Sequence, residues 1–427
     1  MRHVVALRRE WASTNLDVRW FYLFNLLAFV AWGVLGLDVN LYLRELGLNE
    51  RSMGLFAAVQ TLAMAVAGAA MGPLFHRIGV WATLLGSTLL FAVSAFALAF
   101  VSGMWPLMAL AVLTGLGISA LFAGTMPFII ELAPPAHRSG VATIAFALIG
   151  LSFTLGSLLG GLLPTVLPLD ALGSYRWTIA ISAVIAGLSS ITFLAMSRHL
   201  RAPAPLPERA HTDDTPVDQP AITRRDASVA VIVSGLLAAA FGALLPFYNV
   251  YLSDLGMATS TIGLIFAAGG FAQAMIGLTA PVWSRRLGSV WTVSGLRVAP
   301  VPFFAVLLIA PTAGLAALAY IVRAGTFGPT VPAESTFLAD FFPDRMRSHV
   351  FGFRFASWNL GWAAASAIGG VLIVAYGYSP VILMFVGFTI IANVINVLYF
   401  GRHPAVKSGH VPGALPPRAR ARAGTAQ

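Results

Sequence analysis

The sequence predicts an all-α membrane protein of twelve transmembrane helices, arranged as two pseudo-symmetric six-helix bundles, and three observations carry that expectation. The 427 residues are 58% apolar and only 10% charged, against about 25% charged in a soluble domain, so water is not the main solvent. The apolar stretches are each long enough to cross about 30 Å of hydrocarbon as a helix. The two halves also align with each other at one fixed offset. A mean hydropathy of +0.83 means more apolar surface than a single soluble core can bury.

The first half reads as spans one to six, at Trp20–Leu43, Met53–Phe75, Val80–Ser102, Trp105–Ile130, Val141–Pro168 and Trp177–Met196. The second half reads as spans seven to twelve, at Val229–Leu252, Thr261–Trp283, Val290–Ala310, Ala313–Ala339, Val350–Tyr376 and Val381–Phe400. These lengths are helical, since a barrel strand needs only about 10 alternating residues. Trp20–Leu43 is too long for the apolar core of a signal peptide and is expected to be retained. The stretch between the halves, RAPAPLPERAHTDDTPVDQP, is polar and proline-rich, with too little apolar surface to offset its ordering entropy. The expected organisation is therefore a bundle over 1–197, a cytoplasmic linker over 198–228, a bundle over 229–400 and a cytoplasmic tail over 401–427.

Basic residues set the orientation. Arg2, Arg8, Arg9 and Arg19 precede span one, and Arg77, Arg138, Arg198 to Arg225, Arg285, Arg286, Arg345 and Arg347 occupy every second connection. Arg402, Lys407, Arg418, Arg420 and Arg422 follow span twelve, whereas the opposite connections hold only Arg44, Arg51 and Arg176. By the positive-inside rule both termini are cytoplasmic, in a multi-pass protein of the cell (inner) membrane. The net charge of +10 is thereby a topological signal and not a nucleic-acid footprint.

Several chemistries are excluded. With no cysteine there is no disulfide, thiolate metal site or thiol nucleophile. The single lysine, Lys407, lacks a phosphate-loop context, so ATP does not drive this chain. No nucleophile elbow, zinc helix or dinucleotide fingerprint is present, so neither an enzyme nor a cofactor or metal is expected.

A shift of 209 positions, the difference between Gly33 and Gly242, also pairs Asn40 with Asn249, Tyr42 with Tyr251, Gly47 with Gly256 and Gly54 with Gly263. It continues through Gly68 and Gly277, Arg77 and Arg286, Gly79 and Gly288, Pro134 and Pro343, Arg138 and Arg347, Ser139 and Ser348, and Gly160, Gly161 with Gly369, Gly370. Polar matches in loops at one unbroken offset mark an internal duplication. Six spans per half is even, so the halves are parallel repeats about an axis along the membrane normal, the geometry that alternating access requires.

On these residues the chain resembles the major facilitator superfamily, over about Trp20 to Phe400. The family signature between spans two and three, Gly-x-x-x-Asp-Arg-x-Gly, stands here as Gly72-Pro-Leu-Phe-His76-Arg77-Ile-Gly79, with His76 in place of the acid. Its counterpart from Pro281 to Gly288, which holds Arg285 and Arg286, also has no carboxylate. Span five carries Gly156-Ser-Leu-Leu-Gly160-Gly161, similar to the Gly-Pro-x-x-Gly-Gly stretch of the family's exporters, with serine in place of proline. The resemblance implies a secondary transporter and leans toward efflux. The plain alternative is that these glycines only let helix backbones approach.

Ionisable residues inside spans cost about 2.5–3.5 kcal/mol each on insertion scales. Asp38, Arg297, Arg323, Glu334 and Arg354 are such residues, and none is matched by a like residue at the 209 offset. Arg297, Glu334 and Arg354 lie at similar depths, about 6–10 Å from the cytoplasmic ends at 1.5 Å per residue, where they are placed to pair as an inner gate or to touch cargo. Asp38 and Arg323 lie at about 24–27 Å. The resemblance implies that spans one, four, seven and ten line the cavity, which would set these two face to face. Asp38 is then the proton-coupling candidate, with Arg323 as its modulator or as the partner of an anionic cargo; the alternatives are a static salt bridge or an Asp38 that meets water beside Arg44. Glu131 and Asp340 occupy equivalent helix ends near Arg138 and Arg347, where gate or loop salt bridges are expected and not cargo binding; Arg77, Gly79, Arg286 and Gly288 are the other gating-loop candidates. All eight histidines fall in expected loops or tails. Trp32, Tyr248, Phe327 and Trp358 are candidates for cavity lining, with packing as the plainer role.

The expected function is proton-coupled efflux of a small amphipathic molecule by a monomer in the lipid bilayer. Uptake of a small anionic metabolite and a non-transporting receptor or scaffold on the same fold are the alternatives. Because the chain lacks cysteine, Arg77→Cys and Arg286→Cys, made singly, report topology without background. Both should react with impermeant thiol reagents only from the cytoplasmic side; labelling from opposite sides would remove the parallel duplication.

Overall fold

A computed structural model describes residues 16–133, 138–196, 222–407 and 411. Among these the chain is helical, without a strand. The first half holds α1 (Leu16–Glu45), α2 (Glu50–Leu98), α3 (Met104–Leu132), α4 (Arg138–Val166) and α5 (Ala171–Ala195). The second holds α6 (Arg224–Leu244), a 3-10 turn (Leu245–Phe247), α7 (Tyr248–Asp254), α8 (Thr259–Leu287), α9 (Ser289–Val298), α10 (Val301–Leu307), α11 (Ala313–Phe327), α12 (Thr330–Phe341), α13 (Asp344–Tyr376), α14 (Ser379–Phe400) and α15 (Pro404–Lys407).

Ten helices among the described residues are long and apolar enough to cross a membrane. The 49-residue α2 contains two expected spans, divided at Gly79, whose φ of 84° and ψ of 160° leave the helical region where the sequence placed a connection. Span ten is interrupted at Gly328 and Pro329, so that α11 and α12 are each too short to cross alone. Proline has no amide hydrogen for the helix ladder and its ring crowds the preceding turn. Dividing α2 and joining α11 to α12 gives the twelve crossings of an all-α, multi-pass membrane protein.

The described residues form two compact units. The first comprises α1 to α5 with Ala258–Ala267, and the second the remainder of the second half. The start of α8 thus groups with the first half, where the sequence expected it in the second bundle. Small residues permit this: a Cβ on Gly161 would stand 2.7 Å from the Gly263 Cα, and Tyr175 Oη lies 2.7 Å from Thr259 Oγ1.

Within the first unit α1 packs on α4 and α5, and α2 packs on α3. Gly33 and Gly156 bring α1 and α4 together, since a Cβ on Gly33 would stand 3.1 Å from the Gly156 Cα and one on Gly156 would press on the Val30 carbonyl. Close backbone approach of this kind replaces the hydrophobic drive that lipid cannot supply. In the second unit α6 packs on α13 and α14. There Gly242 meets the backbone of Trp362, the position equivalent to the Phe153 that Gly33 meets. The turns repeat as well, with Gly47 at φ 79° beside Gly256 at 83°, and Gly79 at 84° beside Gly288 at 81°. The duplication read from the sequence is therefore present in local backbone geometry.

Two boundaries differ from expectation. Span seven begins at Arg224, inside the stretch assigned to the linker, because Thr223 and Asp226 form a reciprocal capping box. Asp226 is then fixed by Tyr399 Oη, which donates at 2.7 Å, and by His403 Nε2 at 3.2 Å. The expected tail from Gly401 is ordered as far as α15, whose Ala405 and Val406 pack, with Val411, against Phe337, Phe341 and Phe400. His76 and His349 lie on exposed helical positions, not in loops. The rest of the expected linker and tail lies outside the described residues.

If close approach at Gly156 holds α1 against α4, Gly156→Val should destabilise the protein by about 1–3 kcal/mol and lower the Tm. Gly150→Ala is the control, because a Cβ there meets nothing within 4 Å. Equal effects in a thermal unfolding assay would rule out the close-contact explanation.

Candidate functional site

The three ionisable residues expected at one cytoplasmic depth meet in the second unit. Arg297 lies in the last turn of α9 and is 4% exposed, a placement that the negative end of the helix dipole favours. Its Nη1 and Nη2 donate to Glu334 Oε1 and Oε2 at 3.1 and 2.9 Å, a bidentate fork. Its Nε donates to Thr330 Oγ1 at 3.2 Å. Thr330 lies four residues before Glu334, so both occupy one face of α12. Arg354 of α13 adds Nη2 at 2.6 Å from Glu334 Oε2. Two guanidinium groups on one carboxylate leave a net positive charge and tie α9, α12 and α13 together. The equivalent positions of the first unit are Thr88, Thr125 and Ala145, and both threonines satisfy themselves on carbonyls one turn back.

Arg323 of α11 stands apart from this cluster. It forms no ion pair among the described residues, and its buried Nε has no hydrogen-bond partner. The guanidinium carbon lies 4.6 Å from the ring centre of Phe241 and 5.3 Å from that of Phe327. Such contacts are worth about 0.5–2 kcal/mol each, the same order as the roughly 2.5–3.5 kcal/mol for an arginine at mid-membrane, but they supply no opposite charge. Arg323 also keeps part of its surface open. Its first-unit equivalent is Thr114, which bonds Gln60 at 3.1 Å.

Asp38 of α1 is 0% exposed, and neither carboxylate oxygen has a hydrogen-bond partner among the described residues. The expectation that it meets water beside Arg44 does not hold in this conformation. Gly160 makes room for it, since a Cβ there would stand 2.7 Å from Asp38 Oδ2. The equivalent residue in the second unit is Phe247, also 0% exposed, which packs on Gly369 as Asp38 packs on Gly160. A carboxyl group therefore occupies a place that the repeat otherwise fills with hydrocarbon.

The remaining candidates are mostly peripheral. Arg77, Arg286 and Asp340 are exposed, and no ion pair forms on Asp340 among the described residues, where water would screen it. Arg347 donates to the Phe342 carbonyl at 3.4 Å. The side chains of Glu131 and Arg138 lie outside what is described. Tyr248 is core, its Oη donating to the Ala316 carbonyl at 2.8 Å, and Trp32 packs edge-on against Phe91 and Phe122. Phe327 and Trp358 stack at 6.0 Å beside Arg323. The sequence reading missed Thr330, which the Thr-x-x-x-Glu spacing on span ten signals, and Asp226, which the Thr-x-x-Asp spacing signals.

Comparison with known proteins bears on the family and the fold. The model of the Major Facilitator Superfamily matches residues 21–328 and 230–424. The quinolone resistance protein NorA of Staphylococcus aureus (strain Mu50) is 26% identical over 132 residues, 31% of this chain and 34% of that protein. The chain thus aligns with about a third of the length of the first curated relatives it matches. The gentisate transporter of Corynebacterium glutamicum is 23% identical over 347 residues, 77% of this chain and 74% of the relative. The solved nucleoside transporter NupG shares the fold, with a TM-score of 0.71 at 16% identity over 91% of this chain and 100% of that one.

Removing the carboxylate of Glu334 would leave the buried guanidinium of Arg297 and the partly buried one of Arg354 without an anion. Glu334→Ala should cost about 3–5 kcal/mol and depress the Tm more than Asp340→Ala at an exposed site. A Glu334 variant as stable as the Asp340 variant would show that the cluster is solvated and contributes little.

Proposed function

The chain belongs to the Major Facilitator Superfamily and is a multi-pass membrane transporter of small molecules, and from that premise we propose proton-coupled efflux of a small amphipathic solute by alternating access, with Asp38 as the proton site. One observation carries the reading: a fully buried carboxyl group without a hydrogen-bond partner, packed on Gly160. A buried charge that has lost its partner costs about 3–5 kcal/mol. A neutral, protonated Asp38 packs on Gly160 as Phe247 packs on Gly369. An ionised Asp38 destabilises that packing and favours a conformation in which water reaches it. Proton occupancy thereby biases the equilibrium between conformations, and a bias of 1.4 kcal/mol is about tenfold in population.

The family's exporter-like glycine stretch on span five places Gly160 itself under Asp38, which joins the efflux lean to the proton site. The partial likeness to a quinolone resistance protein supports the same direction. A second reading, uptake of a small anionic metabolite, is favoured by the broader likeness to a gentisate transporter and by the unpaired Arg323. Both termini are taken as cytoplasmic, in the inner membrane, with a monomer as the working unit.

Inside-out vesicles with an acidic lumen should accumulate a fluorescent quinolone or labelled gentisate, and Asp38→Asn should abolish gradient-driven accumulation while leaving expression intact. Accumulation in right-side-out vesicles under an inward proton gradient would instead support uptake. Unchanged flux in the Asp38→Asn variant would discard Asp38 as the proton site.

A further inference from the structure

We propose that Arg323, Phe241, Phe327 and Trp358 form a recognition site for a planar aromatic carboxylate. The proposal deepens the transport reading and rests on it, naming the class of amphipathic solute. Arg323 and Phe327 lie four residues apart on α11 and share a face. Phe241 comes from α6 and Trp358 from α13, so three separately anchored helices fix the geometry.

The charge comes first. A guanidinium carries five N–H donors in a fixed fork that suits a carboxylate. Arg323 has no ion pair among the described residues and a buried Nε without an acceptor. Among the described side chains of its own unit the acids are engaged or exposed: Glu334 is held by Arg297 and Arg354, Asp226 by Tyr399 and His403, Asp254 by Tyr378, and Asp340 is exposed. None of these four carboxylates supplies the anion that Arg323 lacks. One free guanidinium matches one negative charge, because Arg297 and Arg354 are already committed. This favours a monoanionic carboxylate over a phosphate.

The ring follows from the aromatic side chains. Phe241 meets Phe327 edge-to-face at 4.6 Å, Phe327 stacks on Trp358 at 6.0 Å and 25°, and Trp358 continues to Trp362 at 6.4 Å. Phe327, Trp358 and Trp362 keep part of their surfaces open, as Arg323 does. Nothing about packing alone requires a partly open run of rings beside an unpaired cation. A flat ring offers these side chains the offset or edge-to-face contact that aromatic groups prefer, and its carboxylate reaches the guanidinium.

The test uses the purified full-length protein in detergent, with thermal unfolding as the readout, since a ligand that binds only the native state raises its stability. Benzoate and 2-naphthoate should give saturable rises in Tm. Benzamide, which lacks the charge, and cyclohexanecarboxylate, which lacks the flat ring, should bind at least about tenfold more weakly. Arg323→Gln should remove the benzoate response, and Arg323→Lys should restore part of it. Phe327→Leu, which leaves every charge in place, should narrow the preference for benzoate over cyclohexanecarboxylate and serves if Arg323→Gln does not fold. Asp38→Asn should retain benzoate binding even where transport is lost, so a failure of proton coupling is distinguishable from a failure of recognition. Equal stabilisation by benzamide, an unchanged benzoate response in Arg323→Gln, or no response to either arene acid would overturn the proposal.

Discussion

Charge in hydrocarbon is the constraint on which the arrangement depends. An ionised side chain inside the membrane needs an opposite charge, a set of hydrogen bonds, water or a proton to remove the charge. The second unit answers Arg297 and Arg354 with the single carboxylate of Glu334, and that answer joins three helices. Arg323 is answered only by the faces of two rings. Asp38 in the first unit is answered by no hydrogen bond among the described residues. Tightness of pairing thus separates a clamp that joins three helices from charges that the fold leaves without a counter-ion among the described residues.

The duplication sharpens that division because it supplies an internal control. Gly33 and Gly242, Gly47 and Gly256, and Gly79 and Gly288 keep the same roles in both halves, as crossings or turns. Where an intramembrane charge stands in one half, the other half has Thr88, Thr114, Thr125, Ala145 or Phe247. Those residues either satisfy their hydroxyls within their own unit or fill space. The first unit thus closes the same helix crossings with neutral side chains, whereas in the second unit the Glu334 cluster joins three helices.

Much of the frame was legible because membrane crossing imposes length and apolarity, and because the repeat fixes corresponding turns. The Arg297, Glu334 and Arg354 cluster was approachable from depth counting, since rise per residue converts position into height. Its detail was not, because the fork on Glu334 and the contribution of Thr330 depend on helix rotation, which hydropathy does not encode. Asp38 was read as facing a cavity or water, yet it lies on Gly160, a contact set by the α1–α4 crossing and invisible in either segment alone. The start of span seven was obscured because Thr223 and Asp226 resemble linker composition until they cap a helix. The interruption at Pro329 was hidden by an apolar run that continues across it.

The docking of α15 bears on synthesis. Ala405 and Val406, with Val411, cover Phe337, Phe341 and Phe400, and His403 reaches back to Asp226 at the opening of span seven. The aqueous end of this bundle is therefore incomplete while the ribosome still holds the residues past Pro404. During that interval a cluster of phenylalanines is left uncovered, the kind of exposed apolar patch by which chaperones and proteases tell an unfinished nascent chain from a finished one.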